Sequence, residues 1–589
     1  MAATETHAQY VMGETVRLLD GPLQALLHPA LPLLVAGVVA ALAPPRLRKA
    51  LLVLAPLWGA WNLLGFTSGD LVSAELAGFE LILLRVDKLA FLFALLFHLA
   101  ALLAGIYALH SDDRMQQVAG LLYAGSAVGA VFAGDLLVLF FFWELLAITS
   151  VFLIWARRET ASTRSGLRYL LVHIASGVLL LIGAALHWIE FGTLVFERMD
   201  LGSAASWVLL LAIGIKCCFP LPHPWLVDAF PAATELGTVY LASFTTKTAV
   251  YALARGYEGC EPLIWIGMAM AMFPIFYAVI ENDLRRVLGY SMINQIGFMV
   301  CGVGLGAGLG VNGAVAHAFN DVIFKGLLFM SMGAVLLRTG RINGSELGGL
   351  YKTMPQTAGL CMVGAASISA FPLFSGFVSK SMVMTEAAHE GYVVVWLALL
   401  FASAGVFHHA GIKIPFFAFF AHDSGLRPKE APLNMRVAMG IAALLCIAIG
   451  CFPNALYALL PYATDYHPYD TTHVVQQLQL LFFSALAFVT LMLTGIYPPE
   501  LRSTNLDVDW FARRAAPRTL RVLAAVGGAI WYGVLAGLAD VLKVVRSVVR
   551  WLHSPAGRLG EPWPTGTTVF WAATLLGLLL LFSYLGSAL

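Results

Sequence analysis

Long apolar runs follow one another along the chain, each near the ~20 residues a helix needs to cross hydrocarbon. Short polar segments separate them. The pattern predicts spans at 27–43, 50–67, 88–110, 117–133, 136–156, 168–190, 205–227, 238–256, 262–281, 287–308, 312–337, 358–385, 392–420, 434–460 and 476–497, with two more near 522–542 and 568–587. All are expected to be helices, because an open sheet leaves backbone groups unsatisfied in lipid. The fold class is therefore an all-α polytopic membrane protein.

Composition agrees. Of 589 residues, 60% are hydrophobic and 12% charged, and the mean hydropathy is +0.82. A soluble domain carries about twice that charge. Disordered, collagenous, coiled-coil and disulfide-scaffold classes fall with the same numbers. A net charge of +1 offers no footprint for nucleic acid. The seven cysteines include no C-x-x-C, so no zinc or iron–sulfur site is expected and no cofactor is implied. The opening segment MAATETHAQYVMGETVR lacks a basic region before its first apolar run and reads as retained. The G-x-G patterns in 302–310 lack a strand–turn–helix context and read as small-residue packing.

The basic residues orient the map. With the N-terminus outside, 21 of the 35 fall in cytoplasmic segments, among them Arg46, Arg158, Arg285, Arg286 and Arg341. Only five fall outside: Arg17, Arg85, Lys88, Arg198 and Arg255. This bias supports fifteen spans up to residue 497. Beyond, Lys543, Arg546 and Arg550 share a helix face. Residues 522–553 thus form either a span or an interfacial amphipathic helix.

Five lysines remain, all inside predicted spans: Lys216, Lys247, Lys325, Lys380 and Lys413. Each costs about 2.5–3.5 kcal/mol at mid-bilayer if unpaired. Lys413 lies near a span end and is expected to snorkel. Lys216, Lys247 and Lys325 have apolar flanks and point to function. Glu144 lies deep in span five, whereas Asp135 opens that span as an N-cap. Asp228 and Glu235, between spans seven and eight, are expected to be solvated. His317, Asp321 and Lys325 form one stripe at intervals of four, so Asp321 and Lys325 are expected to pair. His173 reads as a satisfied core residue.

Proline breaks accompany two lysines: Pro220, Pro222 and Pro224 follow Lys216, and Pro372 precedes Lys380. Broken helices at membrane depth surround cavities and handle ions. Spans four to eight and nine to thirteen are two runs of five. An odd number inverts the second copy, which suggests inverted repeats at 117–256 and 262–420. Helices in 1–116 precede them, core helices in 434–497 follow, and 498–589 is a C-terminal extension.

The motifs FFWELL (141–146), P-x-P-x-W-x-x-D-A (220–229), TTKTAVY around Lys247, Asp283-x-Arg285-Arg286 before Gly-Tyr-Ser, His317 with Lys325-Gly-Leu-Leu-Phe, and Ser-Gly-Phe-Val-Ser-Lys380 together resemble the antiporter-like membrane subunits shared by complex I and Mrp-type multisubunit Na+/H+ antiporters. The likeness is nearest to the D-type subunits of Mrp antiporters. It implies a fourteen-helix core with broken helices 7 and 12. It also implies that Glu144 pairs with Lys216, and that Lys247, Lys325 and Lys380 continue a proton path that includes His317. The family often has a second histidine where Asp321 stands. The resemblance leads to the expectation of a proton-translocating subunit of a monovalent cation (Na+)/H+ antiporter in a bacterial inner membrane, assembled with other membrane subunits. The alternative is a proton-pumping arm of a complex I-like, membrane-bound hydrogenase or inorganic-carbon uptake complex.

Overall fold

The computed structural model describes residues 17–18, 28–76, 78–501 and 505–586. The reading of the N-terminal segment, and the start of the first predicted span, lie outside the described residues. The chain forms two compact units, one ending at Asp507 and one running Val508–Leu589.

The first unit opens with α1 (Leu31–Leu42) and α2 (Pro45–Leu63). Strand β1 (Arg17–Leu18) runs parallel to β2 (Asp70–Leu76), which pairs antiparallel with β3 (Phe79–Arg85). This small hairpin lies between predicted spans and leaves the all-α fold class in place. Its strands are too short and too polar to cross a bilayer, and they bond one another between spans two and three. Then come α3 (Lys88–Tyr107), α4 (Arg114–Phe132), α5 (Leu136–Trp155), α6 (Thr160–Phe191), α7 (Ala204–Lys216), α8 (Pro224–Ala232), α9 (Glu235–Ser243) and α10 (Thr245–Gly256). The second series is α11 (Glu261–Ile280), α12 (Leu284–Leu305), α13 (Leu309–Thr339), α14 (Pro355–Ile368), α15 (Ser375–His389) and α16 (Val393–Val406). After it come α17 (Leu433–Cys451), α18 (Asn454–Tyr457) and α19 (Thr471–Leu493).

Twelve described helices are long and apolar enough to cross a membrane by length and composition. Ten belong to the first unit. The other predicted spans of that unit are short, polar at one end, or interrupted. Spans seven and twelve break as expected, at 217–223 and 369–374. Span eight also breaks, at Phe244 (φ −110°, ψ −66°), and no proline announces it.

The two series share local devices. Asp135 caps α5 by accepting from Leu137 and Val138 N–H, and Asp283 caps α12 by accepting from Arg285 and Arg286 N–H. Each aspartate also bridges to the segment after the following long helix, Asp135 to Val195 and Asp283 to Asn343. Those long helices, α6 and α13, have 32 and 31 residues and end on left-handed Gly192 and Gly340. Each proline break carries Phe-Pro between two left-handed residues: Cys218 and Leu221 in one, Ala370 and Leu373 in the other. Positive φ strains a non-glycine backbone by roughly 1–3 kcal/mol and persists only where packing over-determines it.

Side chains gather the loops at two ends. At one, Lys49–Asp112 and Arg158–Asp113 ion pairs (both 2.8 Å) join segments of the predicted basic-rich side. There Arg285 also donates to the Pro231 and Ala233 carbonyls. At the other end, Arg255 pairs with Asp87 (2.6 Å) and Arg85 donates to Phe196 O (2.7 Å). Helices α11 and α12 approach backbone to backbone: a Cβ on Gly267 would lie 2.3 Å from Cys301 N, and one on Gly297 2.4 Å from Ala271 N. Gly302 and Gly304 make similar close approaches, as small-residue packing requires.

The second unit holds α20 (Ala516–Leu552), an unbroken 37-residue amphipathic helix with no buried residue, and α21 (Thr565–Gly586). The division falls later than the predicted 498 boundary. Within the first unit, Glu500, Asn505 and Asp507 bond Lys413, Glu281 and His223.

Candidate functional site

The predicted site residues are arranged as two groups. Glu144 and Lys216 form the first, on α5 and at the end of α7. Lys216 is completely buried, yet it makes no ion pair with Glu144. Its ammonium donates to Trp143 O (2.5 Å) and lies 4.4 Å from the centre of the Trp143 ring. Glu144 instead points at α6. A Cβ on Gly177 would sit 1.5 Å from Glu144 Oε1, an oxygen with no hydrogen-bond partner. The expected contact pair is thus separated into neighbours, because Trp143 satisfies the lysine and Gly177 receives the acid.

His173, on the same helix as Gly177, is not a satisfied core residue. It is fully buried, neither ring nitrogen has a partner, and its ring packs on Tyr169 (4.0 Å) and Trp225 (4.6 Å). Lys216 is the charge that acts on it. It stands at the same distance before Gly192 as Asp321 does before Gly340.

The second group is Lys247, His317, Asp321, Lys325 and Lys380, all fully or almost fully buried. Asp321 does not form its ion pair with Lys325, one turn along its own helix. It pairs with Lys247 across helices at 2.6 Å. The break at Phe244 explains this: it lets α10 begin beside α13, and Lys247 also donates to Ala242 O (3.2 Å) at the end of α9. Lys325 donates to Ser291 Oγ (2.8 Å) on α12. Lys380 donates to Ile368 O (3.2 Å) and lies 5.0 Å from the Phe298 ring centre. The residue four beyond Ile368 is Pro372, which has no N–H, so the break frees this carbonyl for the lysine. His317 bonds Ser379 Oγ (3.0 Å) and Gln295 Oε1 (3.1 Å), and Gln295 donates to Asn294 (2.5 Å).

Sequence reasoning passed over Ser291, Asn294 and Gln295. Their signal was a polar stripe at intervals of three and four in an apolar helix. Cys217 and Cys218, both buried, lie in the first break directly after Lys216. Two further expectations are corrected. Asp228 is not freely solvated but bonded to Arg168 (2.7 Å) and Ser165 (3.0 Å). Lys413 does not snorkel; it is buried against Glu500 (2.8 Å). Among the described residues no cluster of three metal-binding side chains occurs.

A low-dielectric interior makes each of these contacts strong and each unpaired charge costly. Three lysines share the surroundings of one aspartate, so the charge on each acts on the others.

Comparison with known proteins places the site in context. The family model described as NADH:quinone oxidoreductase/Mrp antiporter, TM, matches residues 133–407, which include all seven predicted site residues. The A/B component of a probable K(+)/H(+) antiporter of Rhizobium meliloti is 30% identical over 403 residues, 63% of this chain and 40% of that protein. The A component of an Na(+)/H(+) antiporter of Alkalihalophilus pseudofirmus is 29% identical over 63% of this chain and 52% of its own length, so the chain spans about half the length of these curated relatives. The D component of the Na(+)/H(+) antiporter of Bacillus subtilis is 26% identical over 64% of this chain and 79% of that protein. In the solved Mrp complex from Dietzia sp. DQ12-45-1b, one chain superposes with TM-score 0.68 at 23% identity, covering 78% of this chain and 100% of that one. A chain of the membrane-bound sulfane sulfur reductase, an archaeal respiratory membrane complex, reaches TM-score 0.69 at 20% identity over 94% of this chain and 99% of its own. The chain is an integral multi-pass membrane protein, and the stretch that matches the family model, residues 133–407, holds its broken helices and the buried lysines of both groups.

Proposed function

We propose that this chain is the proton-translocating subunit of a multisubunit monovalent cation (Na+)/H+ antiporter. The observation that carries the reading is the series of buried titratable side chains from Glu144 and Lys216 through the Lys247–Asp321 pair to Lys325, His317 and Lys380. The relatives named as antiporter subunits support the cation assignment. Glu144, without an ionic partner, moves toward Lys216 to stabilise its charged form and away to release it. The charge change passes through the Lys247–Asp321 pair to Lys325 and Lys380. His317, held between Ser379 and Gln295, exchanges a proton through either ring nitrogen.

Segments 117–256 and 262–420 serve as inverted halves of this path, with 1–116 and 434–497 as flanking core helices. The repeated caps, long helices and Phe-Pro-Leu breaks support that division. The basic-rich end lies in the cytoplasm of a bacterium, by the charge bias of its loops. The test is proton flux in vesicles containing the complete complex: Lys216→Ala and Lys325→Ala abolish flux while the complex still assembles. Flux at the wild-type rate in both defeats the proposal.

The second reading, a proton-pumping arm of a redox-driven complex, is favoured by one observation. The respiratory-complex chain matches 94% of this chain, against 78% for the Mrp chain, so its likeness extends farther along the sequence. Purification with native partners decides: a redox subunit in the assembly selects this reading.

A further inference from the structure

Past α16, where the matched segment ends, the helix changes winding. Two π-helical stretches, Phe407–Ile412 and Phe416–Phe420, flank Lys413–Pro415. Such irregular turns inside α-helices concentrate at functional sites. This one carries His408, His409 and Lys413, none of which belongs to the path described above.

His409 is fully buried. Neither ring nitrogen has a side-chain partner, and the Gly405 carbonyl approaches without completing an ordinary hydrogen bond. Lys325, His408 and Lys413 are the charged or titratable groups acting on it. The His408 ring stacks on Tyr497 at 5.5 Å and meets Phe488 edge-on at 5.2 Å. Lys413 pairs with Glu500 at 2.8 Å and donates to the carbonyls of Val279 and Glu281, both at 2.7 Å. The Glu281 carboxylate accepts from Asn505 (3.2 Å) and lies 3.8 Å from Arg286, whose side chain is 32% exposed. The Lys413–Glu500 pair and Glu281 thus lead from the π-helical turn to Arg286 at the basic-rich surface.

We propose that His409, His408 and the Lys413–Glu500 pair form a proton passage between the basic-rich surface and Lys325. The proposal rests on the proton-relay reading and adds an access route built from residues beyond the matched segment. A proton bonded to one ring nitrogen of His409, with release of the proton from the other, leaves the ring neutral in the opposite tautomer, and ring rotation resets it. A buried imidazole with unfilled nitrogens is suited to this, since no fixed bond must be broken first. Burial raises the Glu500 carboxyl above its ordinary range, against the opposing pull of Lys413, so it can hold and release a proton nearer neutral pH.

The experiment measures proton flux across about pH 6 to 9 in vesicles holding the complete complex, with His409→Gln, His408→Gln and Lys325→Ala compared. His409→Gln lowers flux at least about tenfold and changes the shape of the pH profile. A packing role would scale the flux and leave the profile's shape unchanged, which overturns the proposal. Wild-type flux in His409→Gln, with Lys325→Ala inactive, also overturns the passage and leaves the relay standing. Wild-type flux in Lys325→Ala sinks the relay reading itself, and the passage with it. If His409→Gln fails to assemble, His408→Gln decides: a drop of about threefold or more with a reshaped profile supports the passage, and an unchanged profile overturns it.

Discussion

The two proline breaks share a sequence and a backbone but hold their lysines differently. Lys216 precedes its break and reaches across to Trp143 O on α5. Lys380 comes after its break and bonds Ile368 O, a carbonyl that the same break set free. The acids differ in the same sense. Glu144 packs against Gly177 with no ionic partner, whereas Asp321 is bound to Lys247 at 2.6 Å. One half therefore holds a carboxylate that can change position at little cost, and the other a carboxylate fixed by a contact. The proposed relay uses both: a movable group to admit charge and a fixed one to pass it on.

The largest effect expected is loss of either primary lysine. Lys216→Ala and Lys325→Ala each reduce proton flux at least about a hundredfold, a barrier increase near ~2.7 kcal/mol. Flux assays on assembled complexes check this; loss in only one would make the halves functionally unequal.

Next is the fixed pair. Asp321→Ala strands Lys247 and costs about 3–5 kcal/mol of stability. Asp321→His, which restores a titratable group, keeps partial transport with an altered pH profile. Thermal unfolding of the single and double variants should show coupling between Asp321 and Lys247 that exceeds the coupling between Glu144 and Lys216. Equal couplings would erase the distinction between a fixed and a movable acid.

A smaller effect tests the space around Glu144. Gly177→Ala puts a methyl where Glu144 Oε1 lies. It costs about 1–3 kcal/mol by overpacking and lowers flux several-fold. Adding Glu144→Ala should recover the stability and lose the flux entirely. Recovery of neither would mean the glycine serves only helix packing.

The smallest concerns Pro372→Ala. It supplies an N–H that can compete with Lys380 for Ile368 O. A fall in flux of about twofold to fivefold is expected, corresponding to roughly 0.4–1 kcal/mol. The equivalent change Pro220→Ala should matter less to Lys216, whose acceptor lies on another helix.

Much of the fold was legible because lipid leaves few options. Apolar length set the spans, proline marked two of the three breaks, and uncompensated lysines marked the site. The hairpin at 70–85 was missed because its alternation is short and lies between two strong helical signals. The break at Phe244 was missed because no proline or glycine announces it. Ser291, Asn294 and Gln295 are neutral, and neutral polar residues in an apolar helix carry a weaker signal than charges. Lys413 was misjudged because its partner, Glu500, lies far along the chain.

The sequence by itself determined where the charge lies: within a bilayer-spanning core, on particular helix faces, beside broken helices. That comes from hydropathy, helical period and the missing N–H of proline, all properties of neighbouring residues. Only the tertiary structure decided which charge meets which. A spacing of four allows Asp321 to reach Lys325, but the restart of the helix after Phe244 brings Lys247 to 2.6 Å, and Ser291 takes Lys325 instead. In a dry interior the nearest oppositely charged group dominates, and nearness there is set by helix packing, which no local pattern encodes.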